Sequence, residues 1–103
     1  MERLEIYQGD TFIFSGVFFN NEDQAETLMD KQVTIKIIAE FDTKKQIVID
    51  DADLTKVDNT FAYEVAGGVT SELFGNYFLQ VEIAKDDHVI QEQKKFLNVK
   101  KSY

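Results

Sequence analysis

The sequence predicts an all-β fold, a two-sheet antiparallel β-sandwich built from about seven short strands. Three observations carry this. Several segments alternate apolar and polar residues with period two, the pattern of a strand with one buried and one solvated face. Turn-forming residues punctuate these segments at the roughly ten-residue spacing of sandwich and barrel proteins. Helical periodicity is confined to one short turn near 69–74. The clearest alternation is Gly75-Asn76-Tyr77-Phe78-Leu79-Gln80-Val81-Glu82-Ile83-Ala84-Lys85, where Tyr77, Leu79, Val81 and Ile83 share one side. It reads as the central strand.

At 103 residues the chain is expected to be a single domain, 1–103, long enough to bury one core without metal or disulfide support. Hydrophobic residues are 44% of the total, which suits a globular chain. There is no cysteine, so disulfides and thiolate metal sites are excluded. Eleven basic against nineteen acidic residues give a formal charge of −8, which disfavours binding to a phosphate backbone. No apolar run reaches the ~18 residues of a membrane helix, and the first ten residues lack the apolar stretch of a signal peptide. The opening Met1 reads as a native amino terminus.

Taken in order, Leu4 and Ile6 alternate in a first strand that stops at Gln8-Gly9-Asp10. Asp10 to Asn20 is a second strand, with Phe12, Phe14 and Phe18 expected inward; Gly16 among them suggests a bulge or a close backbone crossing. Asn20 to Lys31 is a polar loop whose Leu28-Met29 pair is expected to plug one end of the sandwich. Gln32 to Phe41 is a third strand, with Val33, Ile35 and Ile37 inward. Ile38 and Phe41 blur its end, as a twist or bulge would. After Asp42-Thr43-Lys44-Lys45 comes the short β-branched run Ile47-Val48-Ile49. Asp50 to Asn59 reads as an acidic loop anchored by Leu54 and Val57, and Phe61, Tyr63 and Val65 alternate in the next strand.

Gly67-Gly68 reads as the stop of that strand, followed by one helical turn from Val69 to Phe74 capped by Thr70 or Ser71. Asp86-Asp87 makes a tight hairpin into the last strand, His88 to Lys100. There Leu97 and Val99 face inward, and Gln91, Gln93 and Lys95 extend the same face. The strand pattern is immunoglobulin-like in outline. A Tyr placed as Tyr77 is, two residues after Gly75, is expected to bond back to the backbone at a sheet corner. A small open barrel is the main rival architecture.

Little here carries chemistry. His88 is the single histidine; beside Asp86 and Asp87 it reads as an exposed turn residue. No GxSxG, HExxH or phosphate-loop pattern occurs, so no catalytic residue, cofactor or metal is expected and the chain reads as a non-enzyme. Asp50, Asp51, Asp53 and Asp58 crowd one loop without the glycine and terminal Glu of a helix-loop-helix calcium site; a solvated acidic loop is the plainer reading. Asn20, Asn21, Glu22 and Asp23 form a second polar cluster. Phe19, Phe78 and Phe96 fall on outward faces, and aromatics there mark a protein-contact surface unless a register slip turns them in.

Four segments together resemble a known family. They are Gln8-Gly9-Asp10-Thr11-Phe12, the stretch from Leu28 into Val33-Thr34-Ile35-Lys36-Ile37, Thr70-Ser71-Glu72-Leu73-Phe74-Gly75-Asn76-Tyr77, and Lys95-Phe96-Leu97-Asn98-Val99. Their order resembles the immunoglobulin-like amino-terminal domain of phage baseplate upper proteins and related small phage and prophage virion domains. In that family a QGD-T-F start and a T-x-x-L-x-x-G-x-Y turn recur. The resemblance implies a structural domain of a virion baseplate, tail or head-fibre attachment, made in the host cytoplasm. Its partners would be other virion proteins, with self-association in a symmetric assembly, and neither nucleic acid nor membrane. The expected interface draws on Phe19, Phe78 and Phe96 for apolar anchoring and on Asp50, Asp51 and Asp53 for charge matching. The alternative is an immunoglobulin-like module that recognises a cell-surface glycan or protein through an aromatic at a loop tip, for which Tyr7 and Phe74 are the candidates.

Overall fold

The computed structural model describes residues 3–101 as a β-sandwich of two unequal sheets. Eight strands are present among them: β1 (Arg3–Tyr7), β2 (Phe12–Val17), β3 (Gln32–Ala39), β4 (Gln46–Ile49), β5 (Thr55–Val57), β6 (Thr60–Val65), β7 (Gly75–Lys85) and β8 (His88–Lys100). One sheet has the order β1-β8-β7-β3-β4 and the other the order β2-β6-β5. As expected, β7 lies at the centre of the larger sheet.

Alternation explains the packing. Tyr77, Leu79, Val81 and Ile83 of β7 are buried beside Val33, Ile35 and Ile37 of β3 and Leu97 and Val99 of β8. Phe14, Phe61 and Val65 meet them from the smaller sheet, while Phe12 and Tyr63 of that sheet and Ile47 of the larger one pack partly buried against this core. Leu28 plugs one end of the sandwich, fully buried, with its amide donating to the Asp58 carbonyl at 2.7 Å. Its neighbour Met29 points out.

The ladders are antiparallel apart from β1, which runs parallel to β8. Nearly the whole chain separates these two strands, so the pairing needs no tight connection. β1 leaves the larger sheet at the Gln8–Asp10 turn and the chain enters the smaller one as β2.

Several expectations are corrected. Gly16 sits in an unbroken β2–β6 register opposite Phe61. A Cβ there would lie 2.5 Å from the Phe61 ring, so the glycine makes room for an aromatic side chain rather than for a bulge or a backbone crossing. The β3–β7 register likewise runs unshifted through Ile38; the register shift that the described ladders do show lies between β7 and β8, at Ile83/Ala84. The stretch 50–59 holds a 3-10 turn, Asp51–Asp53, and the short strand β5, and Val57 is exposed instead of anchoring the loop. The helical turn, α1, spans Gly67–Thr70 and follows Ala66. Gly67 and Gly68 therefore start it, and Thr70 is buried at its end rather than capping its start. Asp86 and Asp87 both take positive φ, 51° and 65°, as a type I′ hairpin requires.

Candidate functional site

The turn at Gln8–Asp10 and the segment from Gly67 to Tyr77 meet at one end of the sandwich. The Gln8 side-chain amide donates to the Leu73 carbonyl at 2.9 Å. The Thr70 hydroxyl lies 2.7 Å from the Asp10 carbonyl and 3.2 Å from that of Gly67. Gly67 packs so closely that a Cβ would fall 2.4 Å from the Gly9 carbonyl oxygen. The Tyr77 hydroxyl closes the corner, accepting the Phe74 amide at 3.0 Å and donating to the Phe74 carbonyl at 3.2 Å. The expected bond from Tyr77 back to the backbone is present.

Beside this corner a cleft of about 510 Å³ opens between the β3–β4 turn and residues 72–74. β5 is only three residues long, so the smaller sheet does not reach over the inner face of β4 at this end. Ile37, Ala39, Ile47 and Tyr77 line the cleft from the larger sheet, with Leu73 beside them. Phe41, 70% exposed, and Phe74, 59% exposed, stand at its mouth with Lys44 and Lys45. The Lys45 ammonium lies 5.6 Å from the Phe41 ring centroid. Glu72 is the single carboxylate in the lining among the described residues.

Of the anticipated interface residues, Phe78 and Phe96 face each other across β7 and β8, ring centroids 4.9 Å apart, on the outer face of the larger sheet. They are half-buried and continue toward Ile38 on β3. Polar rows adjoin them, Asn76 and Asn98 on one side and Lys36, Gln80 and Lys94 on the other, with Lys36 and Glu82 paired at 3.1 Å on the same face. Phe19 lies elsewhere, past the end of β2. Asp51 is turned inward: it accepts the Val33 amide at 2.8 Å and sits 2.9 Å from the Lys56 ammonium. Asp50 precedes the 3-10 turn with its carboxylate uninvolved in capping, while Asp53 lines a hollow with Ile13, Thr55 and Glu64.

A surface that sequence reasoning missed joins Phe19 to Asp53. On the outer face of the smaller sheet, Ile13, Ser15 and Val17 of β2 pair with Glu64, Ala62 and Thr60 of β6, which in turn pair with Thr55 and Val57 of β5. Ile13 is 65% exposed and Val57 59%. Glu64 is the one charged group in these rows. The signal was available: Ile13, Ser15, Val17 and Phe19 alternate as regularly as Phe12, Phe14, Gly16 and Phe18.

Charge is distributed unevenly. The end formed by 18–31, the Val57–Thr60 turn and the Asp86-Asp87 hairpin carries Glu22, Asp23, Glu26, Asp30, Asp58, Asp86 and Asp87 against Lys31 and Lys85. The buried Lys31 organises it, its ammonium 2.8 Å from the Thr27 carbonyl, 2.9 Å from Asp30 and 3.2 Å from Glu26. Burial pulls the Lys31 pKa down, but its hydrogen bonds to Asp30 and Glu26 outweigh it and leave the value raised. Hydrogen bonds from Lys31 and then Lys85 hold Asp30 below the ordinary carboxylate range. In the second polar cluster, the Asn20 side chain turns back to accept the amides of Glu22 and Gln24.

Among the described residues no group of three or more His, Asp or Glu is placed to hold a metal ion, and no helix is long and apolar enough to cross a membrane. His88 is exposed at the β7–β8 hairpin.

No protein-family model matches the sequence. No curated protein matches it either. Among solved structures, the chain is similar to part of a candidate glycoside hydrolase from Bacteroides vulgatus. The TM-score is 0.53 at 8% identity, over 93% of this chain and 16% of that one. At that identity the likeness is one of fold, and the chain spans only a small fraction of its neighbour's length.

Proposed function

We propose that the chain is a non-catalytic docking domain of a phage or prophage virion, a module of a baseplate, tail or head-fibre attachment whose partners are other virion proteins. The observation that carries this is the outer face of the smaller sheet. On a chain of charge −8, a row of exposed Ile13, Val17 and Val57 with small neutral neighbours and one carboxylate is an uncovered apolar surface of the kind that marks a protein contact. Phe19 and Asp53 flank it. The virion assignment draws on the family resemblance, and the interlocked turns at 8–10 and 67–77 give its motif residues a shared structural role. The non-catalytic reading draws on the cleft, where among the described residues Glu72 has no second carboxylate for acid–base work on a substrate.

The test is assembly. Light scattering after size-exclusion chromatography, run on the chain alone and with each neighbouring gene's product, should reveal a complex. Ile13→Lys combined with Val57→Lys should abolish it while leaving the thermal unfolding of the domain intact. A strict monomer that binds none of those products would sink the reading, as would a complex indifferent to both substitutions.

A further inference from the structure

We infer that the open edge of β4, together with the cleft beneath it, is a second docking site that takes an extended peptide by strand addition. The inference rests on the docking reading only in making the partner a protein; its site lies on the other sheet.

The sandwich has four strand edges, and three are blunted. β5 is three residues long. β1 carries Arg3 and Glu5, the latter paired with Lys100 at 3.2 Å. Along β2, the side-chain amides of Gln93 and Gln91 reach across from β8 and donate to the carbonyls of Val17 and Phe19, both at 3.2 Å. These are the usual protections against pairing with another chain. β4 is also short, at four residues, and follows Lys44 and Lys45, but no side chain of the described residues bonds across its outer edge as Gln91 and Gln93 do along β2. β4 is a plain Gln46-Ile47-Val48-Ile49 run without proline, bulge or inward charge.

The register says which groups are on offer. The Ala39 amide donates to the Lys45 carbonyl, and Ile37 and Ile35 stand opposite Ile47 and Ile49. Lys45, Ile47 and Ile49 therefore turn their backbone groups toward β3. Gln46 and Val48 turn theirs to the open edge, two donors and two acceptors. A strand laid along them would send alternate side chains to the inner face. There the cleft over Ile37, Ala39 and Leu73 is open and about 510 Å³ in volume, room for a large apolar side chain. Phe41 and Phe74 would close over it. Lys44 and Lys45 at the mouth favour an acidic residue on the peptide beside that apolar one. The occupant is thus an extended segment of another protein that alternates, with a large apolar residue flanked by Asp or Glu.

The experiment pans a displayed random-heptapeptide library against the folded domain and titrates an enriched peptide while recording amide NMR shifts. The expected enrichment is an apolar residue next to an acid, with shifts centred on Gln46, Val48, Phe41 and Phe74. Val48→Pro removes an outward amide and no β3 bond, so it should weaken binding roughly tenfold with the fold unchanged. Phe41→Ser should weaken it as well. Ile13→Lys with Val57→Lys should leave it untouched, which separates this site from the assembly surface. No enrichment, peptides that bind Val48→Pro equally well, or shifts confined to the smaller sheet would overturn the proposal. So would an oligosaccharide found to occupy the cleft in a glycan array while peptides do not.

Discussion

The Tyr77 hydroxyl and the Phe74 backbone satisfy each other in both directions, amide to hydroxyl at 3.0 Å and hydroxyl to carbonyl at 3.2 Å. One side chain at the head of β7 thereby fixes the turn that returns the chain from the smaller sheet to the larger. It also sets the wall of the cleft, since Phe74 stands at the mouth and the Tyr77 ring lines the side. Tyr77→Phe keeps the ring and removes both bonds. The expected cost is about 1–2 kcal/mol, read as a lower urea midpoint at unchanged slope. Hydrogen exchange at the Phe74 amide should accelerate more than that of the β7 core. An unaltered midpoint would mean water replaces the hydroxyl without loss.

The adjacent glycines of α1 should respond oppositely to the same change. Gly67→Ala drives a methyl to within 2.4 Å of the Gly9 carbonyl oxygen, a backbone atom that moves only with the whole 8–10 turn. About 2–3 kcal/mol of destabilisation is expected. Gly68 is exposed, and a methyl group added there would have nothing within 4 Å. Gly68→Ala trades a poor helix former for a good one and should gain about 0.5–1 kcal/mol. Paired thermal melts of the two variants check this, and equal shifts would contradict the close contact with Gly9.

This pair also marks where the sequence was hard to read. Two glycines after an alternating strand look like a break, because local pattern registers only what glycine does to its own backbone. What requires Gly67 is a carbonyl nearly sixty residues away. The β7 core was legible because Tyr77, Leu79, Val81 and Ile83 report their burial through period alone, and the Leu28-Met29 pair stood out in a polar loop, although only Leu28 of the two is buried. β5 was not legible: Thr55-Lys56-Val57 is too short for a period, and its one inward side chain is a lysine. The candidate docking face was masked by its strand. Both faces of β2 are apolar, and the aromatic one looked more like a core. Alternation puts Phe78 and Phe96 on an outer face, where they lie, yet nothing in the pattern says that their rings pack against each other, tilted by 41°, between polar rows.

Acid should loosen the Leu28 end before the rest. Asp30 has a depressed pKa from its bonds to Lys31 and Lys85. Its contribution is therefore complete above the ordinary carboxylate range and disappears as pH falls through the lowered folded-state value. Lys31 has a raised pKa, so its contribution is complete below the ordinary lysine range and is lost only as pH rises through the raised value. Between those limits neither group titrates. Melting temperature followed from neutral pH downward should fall, and Asp30→Asn should flatten part of that fall while lowering stability at neutral pH. A variant whose acid limb matches that of the parent would remove Asp30 from the explanation.

The strongest polar tie between the sheets is predicted to be Lys56. Its ammonium donates to the carbonyls of Leu28 at 3.2 Å and Lys31 at 2.9 Å, and sits 2.9 Å from the Asp51 carboxylate that also receives the Val33 amide. One lysine on the smaller sheet thus holds the plug segment and the 3-10 turn against β3. Lys56→Met retains the aliphatic stem but leaves two carbonyls and a carboxylate without their cation. The Asp51 side chain is about one-third exposed (32%), so water offsets part of the loss, and about 2 kcal/mol is expected rather than the larger penalty of a fully buried broken pair. Adding Asp51→Asn to Lys56→Met should cost less than the two single changes summed, since the second substitution removes a charge that the first has already orphaned. A double-mutant cycle by urea denaturation measures that coupling. Strict additivity would mean that Lys56 acts through the two carbonyls and that Asp51 serves only Val33.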